Sequence, residues 1–161
     1  MACRTLTLFA AAVGILSAAD CASYFPHFGQ LNGRVEILTR SDLRHYDDYG
    51  RYLGKTEAES GGELYFYDNY GRRLGKASYE RGELRFYDDY GRYLGKIEFE
   101  HDGSSTYYDS YGRRLGKAET DNDTTSYYDD YGRRRGKSER ENGSITFYDD
   151  YGRRLGRSER D

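Results

Sequence analysis

The sequence is poor in the residues that usually build a protein core. Leu, Ile, Val and Phe together number 26 of 161 residues, and tryptophan is absent. So small a share indicates disorder only when the net charge is also high, and here 28 acidic residues nearly cancel 25 basic ones. The 19 tyrosines can supply the buried area that aliphatic side chains do not. We therefore expect a folded β protein with a thin core.

Net charge and catalytic groups are scarce as well. A formal charge of -3 argues against bulk attraction to nucleic acid or to acidic membranes, so we expect no nucleic-acid partner. The three histidines, His27, His45 and His101, stand in unrelated contexts. No nucleophile–base pair stands out. The sequence predicts a protein that is not an enzyme, with no catalytic residue, no cofactor and no metal.

The first 19 residues have the pattern of a signal peptide. Arg4 precedes the apolar run 6–19, and Ser17 and Ala19 fit the small-residue rule at a cleavage site. The other interpretation is a buried first strand or helix. Cleavage predicts a secreted, periplasmic or cell-surface protein without a transmembrane span. It would remove Cys3 and leave Cys21 alone, so no disulfide framework is expected; Asp20 makes Cys21 a poor lipidation site.

A motif repeated at a period of 20 or 21 residues organises the rest of the chain. The pattern Tyr-Asp-x-Tyr-Gly-Arg occurs six times within residues 43–161, which predicts a repeat domain of six units of about 20 residues. Residues 20–42 precede this domain and hold a candidate degenerate capping repeat at 28–38. Asp at the first turn position and Gly at the fourth predict a type I turn with a bulge, which closes a β-hairpin. The predicted turn residues are Asp47, Asp68, Asp88, Asp109, Asp129 and Asp149, with Gly50, Gly71, Gly91, Gly112, Gly132 and Gly152.

The side chains around each turn predict the strand register. A three-residue loop at 150–152 places Asp149 opposite Arg153, Tyr148 opposite Arg154 and Phe147 opposite Leu155. The same register predicts Phe–Leu or Tyr–Leu pairs in hairpins two to four: Phe66–Leu74, Phe86–Leu94 and Tyr107–Leu115. A second glycine inside every return strand suggests a further bulge or a close backbone approach. The fold class predicted is an all-β, antiparallel β-hairpin repeat array, forming a curled meander sheet or β-solenoid with open edges.

The repeated unit resembles the YD repeat of Rhs-type bacterial proteins. The residues that carry the resemblance are Tyr46-Asp47, Gly50-Arg51 and their five later equivalents, and they cover 43–161. The resemblance implies a long β-sheet strip, able to spiral into a shell, in a secreted or surface-exposed protein. In this chain Arg or Tyr intervenes between Gly-Arg and the apolar residue.

Three sets of repeated residues are candidates for function. The paired carboxylates lack the alternating oxygen ligands of a calcium loop, so we interpret the first Asp of each pair as a turn residue bound to Arg. The arginines either form salt bridges with this Asp row or, with the repeated lysines, form a ladder that grips polyanionic glycans. They are Arg51, Arg72, Arg92, Arg113, Arg133 and Arg153.

A tyrosine at each turn tip is not required by turn chemistry. Either it packs on the neighbouring unit or it belongs to an exposed aromatic platform, and both can hold. These residues are Tyr49, Tyr70, Tyr90, Tyr111, Tyr131 and Tyr151. The leading hypothesis is a secreted, tyrosine-rich, non-enzymatic module for adhesion or carbohydrate binding, with a cell-surface glycan or protein as partner. The alternatives are a structural matrix or adhesive protein that self-assembles through open sheet edges, and a tyrosine-modified effector.

Overall fold

The computed structural model describes residues 42–160. The predicted signal peptide, Cys21 and the candidate capping repeat lie outside the described residues. Every regular element in the described part of the chain is a β-strand. No helix there could cross a membrane. The strands are β1 Leu43–Asp47, β2 Tyr52–Glu59, β3 Glu63–Asp68, β4 Arg73–Glu80, β5 Glu83–Asp88, β6 Tyr93–Phe99, β7 Ser104–Asp109, β8 Arg114–Asp121, β9 Thr124–Asp129, β10 Arg134–Glu141, β11 Ser144–Asp149 and β12 Arg154–Arg160.

The twelve strands form an antiparallel meander that closes into a barrel. Successive strands pair as six hairpins, as the repeat predicted. The last strand then pairs with the first along a seam that runs from Leu43 opposite Arg160 to Asp47 opposite Gly156. The expectation of a curled open sheet or solenoid was therefore too coarse, and the expectation of open edges was wrong. Twist and bulges bring the ends together, and the seam satisfies backbone groups that an edge would expose.

The observed strand register matches the predicted one next to the turn and departs from it one residue further along the strand. Tyr148 lies opposite Arg154, as predicted, but Phe147 lies opposite Gly156 and Leu155 is the bulged residue between them. The predicted Phe–Leu and Tyr–Leu pairs are likewise replaced by pairs with the strand glycine. A glycine leaves room for an aromatic ring on the adjacent strand. The displaced leucine is half-buried against the core.

Alternate residues of each strand point inward and fill the barrel. The outgoing strand of a hairpin contributes one or two large groups, such as Leu84 and Phe86, and the return strand contributes a small or apolar one, such as Ile97. The rings of Phe66 and Phe86 stack across neighbouring hairpins with centroids 6.5 Å apart. Every return strand buries one small or apolar residue in the interior; these residues are Thr56, Ala77, Ile97, Ala118, Ser138 and Ser158.

The strand glycines allow neighbouring hairpins to approach closely. A Cβ atom added to Gly116 would overlap the backbone carbonyl oxygen of Tyr128 on the next hairpin. Gly116 lies opposite Asp129, which begins the next hairpin's turn. The turn glycines differ, since Gly112 has open space around it but a φ of +78°, a conformation that side chains disfavour. The repeat thus uses one glycine for conformation and another for packing between hairpins.

Candidate functional site

The six repeated turns all lie at one end of the barrel, because each joins an outgoing strand to its own return strand. We call the segments 47–52, 68–73, 88–93, 109–114, 129–134 and 149–154 the rim. The opposite end, which we call the far end, consists of the connections 59–63, 80–83, 100–103, 121–123 and 141–143. Equivalent rim positions lie two strands apart, at roughly 9.6 Å along the sheet. Barrel closure therefore arranges the predicted binding residues as a ring instead of a row.

An aspartate organises each rim turn, as the sequence predicted. The Oδ1 atom of Asp109 accepts hydrogen bonds from the backbone N–H groups of Tyr111 at 2.9 Å and Arg113 at 2.8 Å. Its Oδ2 atom accepts from the Nε of Arg113 at 2.6 Å. Burial would raise the pKa of Asp109, but the hydrogen bonds and charge of Arg113 hold it below its ordinary value. This carboxylate is therefore committed to the turn.

The same aspartate network recurs around the rim. Backbone N–H groups of the tip tyrosine and the following arginine donate to the turn aspartate in all six hairpins. The Asp–Arg salt bridge has a length of 2.6 or 2.7 Å in five hairpins. In the fifth hairpin, Arg133 Nε lies 3.8 Å from Asp129 Oδ2. The predicted salt bridging of the arginines to the Asp row is confirmed.

The tip tyrosines are exposed. Between 77% and 85% of the surface of each is accessible, so the interpretation that they pack on the neighbouring hairpin is wrong. The contact that each ring makes is with the arginine of its own turn. The guanidinium carbon lies 5.2 to 5.6 Å from the ring centroid in all six hairpins, within the range of a cation–π interaction. The rim therefore presents six supported aromatic rings to solvent.

Lysines occupy a different part of the barrel. They lie on the outer wall below the rim, where their ammonium groups pair with glutamates, as in Lys76–Glu63 and Lys96–Glu83 at 2.7 and 2.9 Å. Several also lie over tyrosine rings of the adjacent strand, as Lys117 lies 5.5 Å from the centroid of Tyr128. The lysines and the rim arginines therefore do not form one ladder, and the lysines bind glutamates instead of the Asp row.

The second carboxylates of the turns do not assemble into a metal centre. Asp48, Asp89, Asp130 and Asp150 are exposed at separate turns. Within residues 42–160, no group of three or more His, Cys, Asp or Glu side chains is placed to hold a metal ion. The first aspartate of each turn is engaged by backbone N–H groups and arginine, as described above.

Two features of the rim and core were missed at the sequence level. Arg73, Arg114, Arg134 and Arg154 follow the repeated arginine and are also exposed at the rim, but two hairpins carry tyrosine there, so this position did not stand out as a repeat. His45 is buried, and its two ring nitrogens form hydrogen bonds with hydroxyl groups: Nδ1 with Ser158 Oγ at 2.9 Å and Nε2 with Thr56 Oγ1 at 2.8 Å. Its burial could have been predicted from the sequence, because the equivalent residue in the other units is Phe or Tyr.

Comparison with known proteins identifies the fold and no family. No protein-family model matches the chain, and no curated protein matches it significantly. Among solved structures, a protein from Arabidopsis thaliana aligns with a TM-score of 0.51 at 9% identity, over 74% of this chain and 79% of that one. BamB from Moraxella catarrhalis aligns with a TM-score of 0.26 at 11% identity, over 66% and 54%. The first match supports the all-β architecture; the resemblance to YD repeats stays a prediction.

Proposed function

We propose that the protein is a non-enzymatic binding or adhesion module that contacts a glycan or protein partner through the rim. The observation that carries the proposal is the exposure of all six tip tyrosines, each at least 77% accessible. Tyrosine and arginine are the residues that most often dominate binding energy at interfaces. An exposed side chain of this size has no role in closing the turn, since the turn depends on the aspartate and glycine beside it.

The rim is suited to binding because its side chains are already positioned. The aspartate holds the arginine, and the arginine lies against the tyrosine ring in every hairpin. A partner would therefore immobilise few additional rotamers, which reduces the entropy cost of association. The tyrosine ring offers an apolar face and a hydroxyl group, a combination that suits sugar rings as well as protein surfaces. A secreted or cell-surface location, as predicted from residues 1–19, belongs to this proposal.

Replacing four tip tyrosines tests the proposal. The variant Tyr70→Ser, Tyr90→Ser, Tyr111→Ser, Tyr131→Ser should bind an immobilised glycan array and a panel of extracellular proteins at least tenfold more weakly than the unchanged chain. Its free energy of unfolding should change by less than about 0.5 kcal/mol per site, because exposed substitutions have small effects. The control variant Tyr108→Ser, Tyr128→Ser alters tyrosines of the outer wall that lie against Lys96 and Lys117, away from the tips. Unchanged binding by the rim variant would refute the proposal.

The competing matrix hypothesis depended on open sheet edges. The seam pairs β1 with β12, so the described strands have no free edge. Strand addition would require opening the barrel. We therefore do not propose assembly through sheet edges.

A further inference from the structure

The rim carries many charges that cancel. Its six segments contain ten acidic and ten basic residues. The far-end connections contain nine acidic residues and one arginine. Two of the acids, Glu63 and Glu83, pair with Lys76 and Lys96 of the outer wall, which leaves a net charge of -6. Two copies of the chain would therefore repel each other if they met through their far ends, whereas two rims carry no net repulsion.

The charges of individual rim hairpins alternate. In hairpins 1 and 3 the segments DDYGRY (47–52) and DDYGRY (88–93) each carry a net charge of -1. In hairpins 2 and 4 the segments DNYGRR (68–73) and DSYGRR (109–114) each carry +1. Hairpins 5 and 6 both read DDYGRR and are neutral. The alternation arises at two exposed positions, the residue after the turn aspartate and the residue after the turn arginine.

We propose that the partner of the rim is the rim of a second copy of this chain, related to the first by a two-fold axis. Facing rims run in opposite directions around the ring, so a two-fold axis can place hairpin 1 opposite hairpin 4 and hairpin 2 opposite hairpin 3. Hairpin 5 then faces hairpin 6. Every negative hairpin meets a positive one, and the two neutral hairpins meet each other. In each of the other two-fold alignments, a charged hairpin meets a neutral one or one of the same sign.

The area available matches what a specific dimer needs. A tyrosine contributes on the order of 150 Å² when it is buried, so six tip tyrosines supply about 900 Å² per copy, comparable with a standard interface. The surface also has the usual composition of such an interface, with tyrosine and arginine at its contacts. Like charges facing each other would be costly in this setting, so the charge order selects the alignment. This inference rests on the proposed binding role of the rim and names its partner.

Charge reversal in two matched variants tests the alignment. Variant A, Asp48→Lys with Asp89→Lys, makes hairpins 1 to 4 all positive. Variant B, Arg73→Glu with Arg114→Glu, makes the same four hairpins all negative. All four altered positions are exposed. The position of Asp48 and Asp89 is occupied by Asn69 or Ser110 in other hairpins, so the turns tolerate the changes. Each variant alone should then face a rim of its own sign, whereas a mixture should pair opposite signs at all four hairpins.

The measurement is sedimentation equilibrium of the full chain from about 1 to 500 μM. We expect the unchanged chain to dimerise, A and B alone to dissociate at least tenfold more readily, and an equimolar mixture of A and B to recover the dimer. The control Glu59→Lys with Glu100→Lys changes the net charge as variant A does, but at the far end, and should leave the dimer intact or tighten it.

Three results would overturn the proposal. The unchanged chain could stay monomeric throughout the range, A and B could each dimerise as well as the unchanged chain, or their mixture could fail to recover the dimer. These outcomes are separable from failure of the proposed function. A monomeric chain whose tyrosine variant still loses glycan or protein binding would keep the rim as a binding surface and exclude the second copy. Tyrosine variants that bind every probe unchanged would remove the binding role itself.

Discussion

The two ends of the barrel close the same strands with turns of different character. The rim uses one turn six times, with an aspartate, an exposed tyrosine and a glycine in every copy. The far end uses five connections of different sequence and length, with positive φ angles at Gly103, Asn122 and Asn142, for example. Because the varied far-end turns join the strands equally well, hairpin formation does not require the rim's tyrosine. The far end therefore serves as an internal control for the rim.

The largest expected effect concerns the glycine that allows hairpins to approach beneath the rim. Gly116→Ala should lower the free energy of unfolding by roughly 3 kcal/mol or more, because the added Cβ overlaps the carbonyl oxygen of Tyr128. Gly112→Ala at the rim turn and Gly103→Ala at the far end should cost about 1–2 kcal/mol each, since both have positive φ and neither Cβ would overlap a neighbouring atom. Urea denaturation measures all three. Equal losses would show that hairpin packing is not the constraint.

The second effect concerns the barrel interior between the two ends, where hairpin 1 departs from its five equivalents. Burial lowers the pKa of His45 to about 3, whereas an unfolded histidine titrates near 6.5. The unfolded state thus binds more protons between these values, and the free energy of unfolding falls as pH falls through that window. His45 alone should remove about 2 kcal/mol between pH 7 and pH 5.

The control for His45 copies another hairpin. Tyr127 occupies the equivalent position in hairpin 5, and its hydroxyl lies 2.8 Å from Ser138 Oγ. His45→Tyr should therefore retain a hydroxyl contact within hairpin 1, with Thr56, the equivalent of Ser138. It should abolish the loss of stability between pH 7 and pH 5, as measured by urea denaturation at each pH. A variant with the same pH slope as the unchanged chain would contradict the assignment.

The smallest effect compares an aspartate at each end. Asp109→Ala removes the acceptor of two backbone N–H groups and of Arg113 Nε, and should cost about 1–2 kcal/mol. Asp102→Ala removes the exposed bonds from Ser104 N and Oγ at the far end and should cost less than Asp109→Ala, because solvent replaces exposed hydrogen bonds. The Asp109 contribution is present above the ordinary aspartate pKa and is lost as pH falls below about 4, because its folded pKa is lowered. Equal losses at pH 7 would remove the distinction between the ends.

Local chemistry allowed the hairpins, the rim turns and the Asp–Arg pairs to be predicted from sequence. Those features depend on residues within one unit, such as Asp149, Gly152 and Arg153. Barrel closure was not predictable in the same way, because it depends on twist accumulated over twelve strands and on pairing between residues 113 positions apart, such as His45 and Ser158. The strand glycine correctly predicted a further bulge or a close backbone approach, but the predicted pairing of Phe147 with Leu155 was wrong, because Leu and Gly compete for the position opposite Phe147 and ring packing favours Gly.

The orientation of the tip tyrosine was also undetermined by sequence. A ring at a turn tip can reach the neighbouring hairpin or its own arginine, and the choice depends on distances across the sheet. The spacing of roughly 9.6 Å between equivalent positions compares with 5.5 Å from the Tyr111 ring to the guanidinium of its own Arg113. Each ring therefore packs against the arginine of its own turn and remains at the surface.

The position of the seam has a consequence for how the chain can be cut and rejoined. Leu43 lies opposite Arg160, so both ends of the described chain lie at the far end, where a sixth connection would otherwise stand. A short linker between them would complete that end. Opening any of the other five connections would then give a circular permutant with the same cyclic strand order. The structure of the rim would not depend on which far-end connection carries the new termini.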